Sequence, residues 1–239
     1  MKVMEIIDLS TTDWPGKAAT VIFFEGCPLA CPRCHNRKFE GEVREMTRQH
    51  LSTTLKENSK VMDAVVFSGG EALTYTRDLI KLGKEAQSYG LLVGLETSGI
   101  YPDKLKLMLE AGAIDRVFLD MKGPLFDGPV LQKRTGNTYQ DVSFAVAQSL
   151  THILGFGVPL ELRATVFPDY PNEEEILKTF RDIGSIFKIN KKTLDYRLLR
   201  GLPIDGDFEP LSVGDLTGMA KRIEAKLWEM QATVAVGAR

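Results

Sequence analysis

The chain has 239 residues, 44% of them hydrophobic and 26% charged, which is enough to bury a substantial core and ordinary for a globular protein. A formal net charge of -2 gives no overall pull toward nucleic acid, and the composition favours neither disorder nor a membrane class. The opening run MKVMEIIDLS carries Glu5 and Asp8 and no small-residue cleavage site, and no apolar run approaches the roughly 20 residues that span a bilayer, so a cytoplasmic protein is expected.

Short β-rich runs alternate with longer helical ones along the chain. Strands are predicted over residues 20–25, 63–68, 91–96, 116–121, 160–166 and 195–199, and helices over 44–58, 74–89, 102–111, 139–154, 172–187 and 212–231. Several boundaries have local causes. Pro102-Asp103 suits a first helical turn, Gly90 and Gly112 suit helix ends, and Asn172 before three glutamates puts acids where the helix dipole favours them. In the last helix Leu216, Met219, Ala220, Ile223 and Leu227 make one apolar face. Six β-α units predict an α/β fold, a partial (βα)6 TIM-type barrel of parallel strands with outer helices. It is expected as one domain over 1–239, with its core at about 18–200 and a C-terminal helix at about 212–231. The glycines, proline and charges of 126–136 suggest a mobile loop.

Each predicted strand carries or runs into polar or glycine-rich residues, and in parallel α/β barrels the carboxyl ends of the strands build the active site. The first strand runs into Gly26-Cys27-Pro28-Leu29-Ala30-Cys31-Pro32-Arg33-Cys34-His35-Asn36, which holds all three cysteines of the chain. The second runs into Gly69-Gly70-Glu71, the third into Glu96-Thr97-Ser98-Gly99 and the fourth into Asp120-Met121-Lys122; the fifth carries Arg163 and the sixth Arg197 and Arg200. Gly-Gly lets a backbone approach a ligand closely, and the Glu71 carboxylate or nearby backbone oxygens can then accept from an ammonium group. Asp120 and Lys122 share one face of their strand, as an ion pair or toward a ligand.

Three thiolates spaced C-x3-C-x2-C on one loop, with no fourth cysteine, suit an iron–sulfur cubane with one iron open to another ligand. A structural zinc site needs a fourth ligand, and His35 follows Cys34 too closely for the usual spacing. A disulfide would leave one thiol over.

The cysteine spacing resembles the signature of radical S-adenosylmethionine (SAM) enzymes, and the following His35-Asn36 resembles the activases that install glycyl radicals on partner enzymes. That resemblance implies a [4Fe-4S] cluster on Cys27, Cys31 and Cys34, with SAM chelating the fourth iron. One-electron reduction then yields methionine and a 5′-deoxyadenosyl radical. It further implies that Gly69, Gly70 and Glu71 receive the SAM amino group and that Lys122 meets the SAM carboxylate. Glu96-Thr97 stands where activases carry Asp-Thr, whose acid holds a monovalent cation with the residue equivalent to Asp120; here the acid is one methylene longer. Arg163 matches an arginine that contacts SAM, and an ion-pair role is the alternative. Arg33 replaces an aromatic residue that packs near the adenine, where a guanidinium can stack instead. Arg197 or Arg200 stands in for a sixth-strand histidine, and His35 belongs to the cofactor loop.

Asp13-Trp14-Pro15-Gly16 adds a likeness to activators of anaerobic ribonucleoside-triphosphate reductases, so a glycyl-radical protein of that kind is the expected partner, with a flavodoxin- or ferredoxin-type electron donor. Two other readings share parts of the pattern. One is a radical SAM enzyme acting on a small molecule or a modified nucleoside of the 7-deazaguanine or tRNA type, which Arg33, Arg37, Lys38, Lys188, Lys191 and Lys192 would favour. The other is a non-catalytic iron–sulfur electron carrier, which would not need the Gly-Gly-Glu and Asp-x-Lys sites.

Overall fold

The computed structural model describes residues 1–36, 43–137, 139–186, 194–203, 206–229 and 235–238. They fall into two compact units: Met1–Pro28, Asn36–Phe118 and Gln148–Pro159 form the first, and Leu29–His35, Leu119–Ala147 and Leu160–Arg239 the second.

The first unit opens with β1 (Lys2–Ser10) and β2 (Ala19–Phe24), an antiparallel pair, and a short β3 (Arg44–Glu45) adds to the outer edge of β1. Then come α1 (Arg48–Asn58), β4 (Ala64–Gly69), α2 (Thr76–Ser88) after a 3-10 turn at Ala72–Tyr75, β5 (Leu92–Thr97) and α3 (Pro102–Glu110). β4 pairs in parallel with both β2 and β5. Its run Ala64-Val65-Val66-Phe67 is fully buried, with Ala64 and Val66 packed among Trp14, Ala19, Val21 and Phe118.

The first hairpin is closed by Asp13-Trp14-Pro15-Gly16, where Lys17 N–H donates to the Trp14 carbonyl at 3.0 Å and Gly16 takes a positive φ of 78°. Trp14 turns into the core and meets Phe118 edge-on at 5.5 Å, packed with Ala19, Val21, Ala64 and Val66. The motif is therefore a turn with a hydrophobic anchor, and an aromatic pair of this kind adds about 0.5–1.5 kcal/mol beyond the area it buries.

β6 (Arg116–Asp120) begins in the first unit and ends in the second. After it come α4 (Gly128–Thr135), α5 (Tyr139–Phe156), β7 (Leu160–Val166), α6 (Glu173–Ile186), β8 (Leu194–Arg200), α7 (Val213–Glu229) and β9 (Ala235–Ala238). β7, β8 and β9 pair in parallel. Among the described residues the strand order is β3-β1-β2-β4-β5-β6-β7-β8-β9, with antiparallel pairing between β1 and each of its neighbours, β2 and β3.

The α/β class and all six expected strands are thus present. Three strands lie outside the expectation: β1, whose apolar positions are interrupted by Glu5 and Asp8, and the short edge strands β3 and β9. The expected loop over 126–136 is a correction: residues Gly128–Thr135 are helical. Asp127 caps this helix by accepting from Val130 N–H at 3.3 Å, Pro129 sits in the first turn, and Gly136 ends it in the left-handed region at φ 69°. Glycine, proline and aspartate, read as loop formers, here serve as the start and stop of a two-turn helix. The expected cap of α6 is present as a reciprocal capping box, with Glu175 N–H donating to Asn172 Oδ1 and Asn172 N–H to Glu175 Oε2, both at 2.9 Å. Among the described residues no helix is long and apolar enough to cross a membrane.

Candidate active site

β2 delivers the chain into the cysteine loop through Gly26, which has a positive φ of 99°. All three cysteines are free thiols; Cys27 is exposed, and Cys31 and Cys34 are partly so. A turn joins the last two, with Cys34 N–H donating to the Cys31 carbonyl at 3.2 Å. Among the described residues no three His, Cys, Asp or Glu side chains gather closely enough for a single metal ion. A cubane bridges its irons with its own sulfides and takes its thiolates at wider separations than a one-ion site does.

In the first unit the glycine pair makes room for protein backbone. A methyl group on Gly70 would lie 2.6 Å from the Gly26 carbonyl oxygen and 3.2 Å from Cys27 Cβ, and one on Gly69 would overlap the Phe24 backbone at 2.2 Å. Gly70 N–H donates to the Phe24 carbonyl at 2.8 Å, and Glu71 N–H to the Gly26 carbonyl at 2.7 Å. The turn after β4 is thereby fastened to the entry of the cysteine loop, and Asn36, at the loop's far end, donates to the Gly69 carbonyl.

Glu71 is buried, and both its oxygens are used: it accepts from Thr97 Oγ1 at 2.8 Å, Ser98 N at 3.0 Å, Ser98 Oγ at 2.7 Å and Leu73 N at 3.4 Å. Burial pushes its carboxyl up from the ordinary value, against the pull of these four donors. The carboxylate is thus a brace between the turns after β4 and β5, and of the two acceptors expected for an ammonium group the turn's backbone oxygens are the ones this leaves. Thr97 is likewise engaged, donating to Glu71 and accepting from Gly99 N–H at 3.1 Å. Glu96 accepts from Ser68 Oγ.

The second unit presents charge instead. Lys122 forms an ion pair with Asp120, with 28% and 31% of the two side chains exposed. Burial works against the Lys122 charge, but Asp120 and the thiols of Cys31 and Cys34 outweigh it and hold the ammonium above its ordinary value. The same contact acts on Cys31: burial pushes that thiol up and the Lys122 charge pulls it down. Asp120 Oδ1 is buried with no hydrogen-bond partner among the described residues.

Arg163 on β7 lies opposite Arg197 on β8, and the wholly buried Glu161 bridges them, 2.7 Å from Arg163 Nε and 3.3 Å from Arg197 Nε. The ion-pair role weighed for Arg163 is the one seen, and its partner Glu161 was not singled out in the sequence, where one acid on a strand has no local signal.

Arg33 is engaged within the protein. Its guanidinium pairs with both Asp169 oxygens, at 2.5 and 3.2 Å, and lies 4.8–5.2 Å from the ring centres of Phe167, Tyr170 and Phe208. His35 is exposed. Of the basic residues that would favour nucleic acid, Arg37, Lys38, Lys188, Lys191 and Lys192 lie outside the described residues.

An α/β sheet whose first parallel strand ends in a loop of three free thiols defines a class of metal-cluster enzyme. The chain belongs to the Radical SAM superfamily, whose sequence profile matches residues 21–183. It is 32% identical over 184 residues, three quarters of each chain (75%), to MJ1227 of Methanocaldococcus jannaschii, provisionally named a glycyl-radical enzyme activating enzyme. It is 26% identical over 220 residues to the pyruvate formate-lyase-activating enzyme of Clostridium pasteurianum, covering 82% of this chain and 89% of that one. A solved structure, "Native anSMEcpe with bound AdoMet and Kp18Cys peptide", superposes with a TM-score of 0.63 at 16% identity, over 88% of this chain and 60% of the other; a likeness at that identity concerns the fold alone.

The protein is thus a radical SAM enzyme with activase-like relatives, and its superfamily implies a [4Fe-4S] cluster and SAM. The residues present fit that pair: three free thiols as soft donors, a lysine charge beside two of them, and a buried carboxylate oxygen still open to a donor.

Proposed function

We propose that the protein is an activase that places a glycyl radical on a partner protein, an anaerobic ribonucleotide reductase. With cluster and SAM bound, the site supplies one-electron cleavage of SAM to methionine and a 5′-deoxyadenosyl radical, which abstracts hydrogen from a glycine Cα. Cys27, Cys31 and Cys34 hold the cluster. The backbone of Gly69 and Gly70, braced by Glu71 and Thr97, receives the SAM amino group, and Lys122, kept charged by Asp120, meets the SAM carboxylate. Arg163 and Arg197 carry positive charge toward SAM, and a monovalent cation, for which Glu96 stands at the family's acid position, belongs to the same proposal.

The reading is carried by the likeness to one relative named for glycyl-radical enzyme activation, covered over 75% of its length, and to another named for activating pyruvate formate-lyase, covered over 89%. A cytoplasmic location and a flavodoxin- or ferredoxin-type electron donor belong to the same proposal. A partner that inserts a loop closes the site itself and keeps water out.

Anaerobic reconstitution is expected to give about four irons per chain, the number in a cubane. Dithionite with SAM should then release 5′-deoxyadenosine, and incubation with the reductase should raise a glycyl-radical resonance. SAM cleavage without that resonance, with this partner or a pyruvate formate-lyase, would move the assignment to a small-molecule or nucleoside substrate. Iron without SAM cleavage would leave an electron carrier.

A further inference from the structure

The loop after β7 contains a contact that no part of the proposed chemistry uses. The Tyr170 ring meets two guanidiniums, 5.2 Å from Arg33 and 4.7 Å from Arg134. Each arginine is tied to a different part of the machinery. Arg33 stands between Cys31 and Cys34, anchored through both nitrogens to Asp169. Arg134, on α4, donates to the Lys122 carbonyl at 3.3 Å and to Glu175 Oε1 at 2.7 Å, while the other Glu175 oxygen is held in the capping box of α6. Each guanidinium is neutralised by its own carboxylate, so the contact adds geometry and little net charge.

The surroundings hold the ring in place. Tyr170 touches Phe167 at 5.1 Å, and Phe167 lies so close over Gly201 that a methyl group there would meet its ring at 2.4 Å. On the other side, Ala30 N–H donates to the Thr135 carbonyl at 2.8 Å, and a methyl group on Gly136 would meet Ala30 Cβ at 2.9 Å. The end of α4 is thus packed on the cysteine loop as well. All of these residues belong to the second unit.

We propose that Tyr170 is a positioning residue whose ring, in cation–π contact with both Arg33 and Arg134, helps hold the Cys31–Cys34 turn and the Asp120–Lys122 segment in one fixed relation. These two segments stand about ninety residues apart in the chain, so backbone connectivity does not set their spacing. The ring contributes to it alongside the Ala30–Thr135 hydrogen bond, because an aromatic face in contact with two guanidiniums is a directional link that an aliphatic side chain does not supply. The inference depends on radical SAM chemistry and is independent of which partner receives the radical.

The test compares Tyr170→Leu with Tyr170→Phe in the full chain. In the metal-free protein, amide hydrogen exchange over 29–36 and over 120–123 is expected to speed up together in the leucine variant, by about tenfold or more. After anaerobic reconstitution, the same variant should change the paramagnetic resonance line shape of the reduced cluster with SAM bound. It should also lower kcat for 5′-deoxyadenosine release by about ten- to a hundredfold, with a smaller change in KM. Tyr170→Phe keeps the ring and should recover all three signatures. Arg134→Lys, which keeps charge without a planar face, should show the same changes at smaller amplitude and guards against a leucine variant that does not fold. Loosening confined to 167–172 would overturn the inference. So would a wild-type line shape in Arg134→Lys, or a phenylalanine variant as impaired as leucine.

Discussion

Gly69-Gly70-Glu71 and Asp120-Met121-Lys122 both lie at the ends of parallel strands and both contain an acid, yet the two turns are built on opposite principles. In the first, the carboxylate is buried and saturated by hydroxyl and amide donors, so the side chain is structure and the backbone is what remains for a ligand. In the second, the charges are part-exposed, paired with each other, and one buried oxygen is left without a hydrogen bond among the described residues. An acid in a turn is therefore not read by its type alone: what decides its role is how many fixed donors the fold aims at it.

Removing the brace is the largest perturbation that separates the two. Glu71→Ala leaves the Thr97 and Ser98 donors unpaired in the interior and opens a cavity, and should cost about 2–4 kcal/mol in the denaturant unfolding of the metal-free chain. A loss near zero would mean that the carboxylate is free for ligand and the contrast is wrong. Gly70→Ala forces a methyl group against the Gly26 carbonyl and should cost about 1–3 kcal/mol by the same measurement, with poorer retention of iron because Cys27 must shift with it.

Lys122→Met should behave in the opposite way. The pair is part-exposed, so the metal-free chain should lose less than about 1 kcal/mol, while equilibrium dialysis of the reconstituted protein should show SAM binding weakened about tenfold or more. Equal effects on stability and binding would make the two turns alike after all. The smallest effect concerns α4. The Lys178 hydrogen bond is the leading cause that holds the Asp127 carboxyl below its ordinary value. Because the folded value is the lower one, this contribution is complete above the unfolded aspartate value of about 3.9 and fades as pH falls through the folded value. Asp127→Asn should flatten that acid limb in a pH series of thermal melts, with a small loss of stability at neutral pH that vanishes toward acid pH.

Much of this architecture is legible in the chain because it is periodic. Runs such as Ala64-Val65-Val66-Phe67 and the alternation with helices give the six strands, and three cysteines within eight residues give the thiolate loop without any fold in hand. Less periodic pieces are not legible: β1 pairs in spite of its acids because β2 supplies the partner, and α4 is a helix because Asp127, Pro129 and Gly136 take cap positions that a loop would use equally well.

At the site, the sequence by itself determined the donor set: which atoms are available to a cluster, and that glycines and charges stand at the strand ends. It did not determine how those side chains are spent. That Glu71 is saturated, that Arg33 is held by Asp169 and three rings, that Glu161 bridges Arg163 and Arg197, and that Tyr170 meets two guanidiniums are decided only by the tertiary structure. The reason is physical. Spacing along a chain fixes which groups share a loop or a strand face, whereas the partner that satisfies a charge or a hydrogen bond is set by segments tens of residues away.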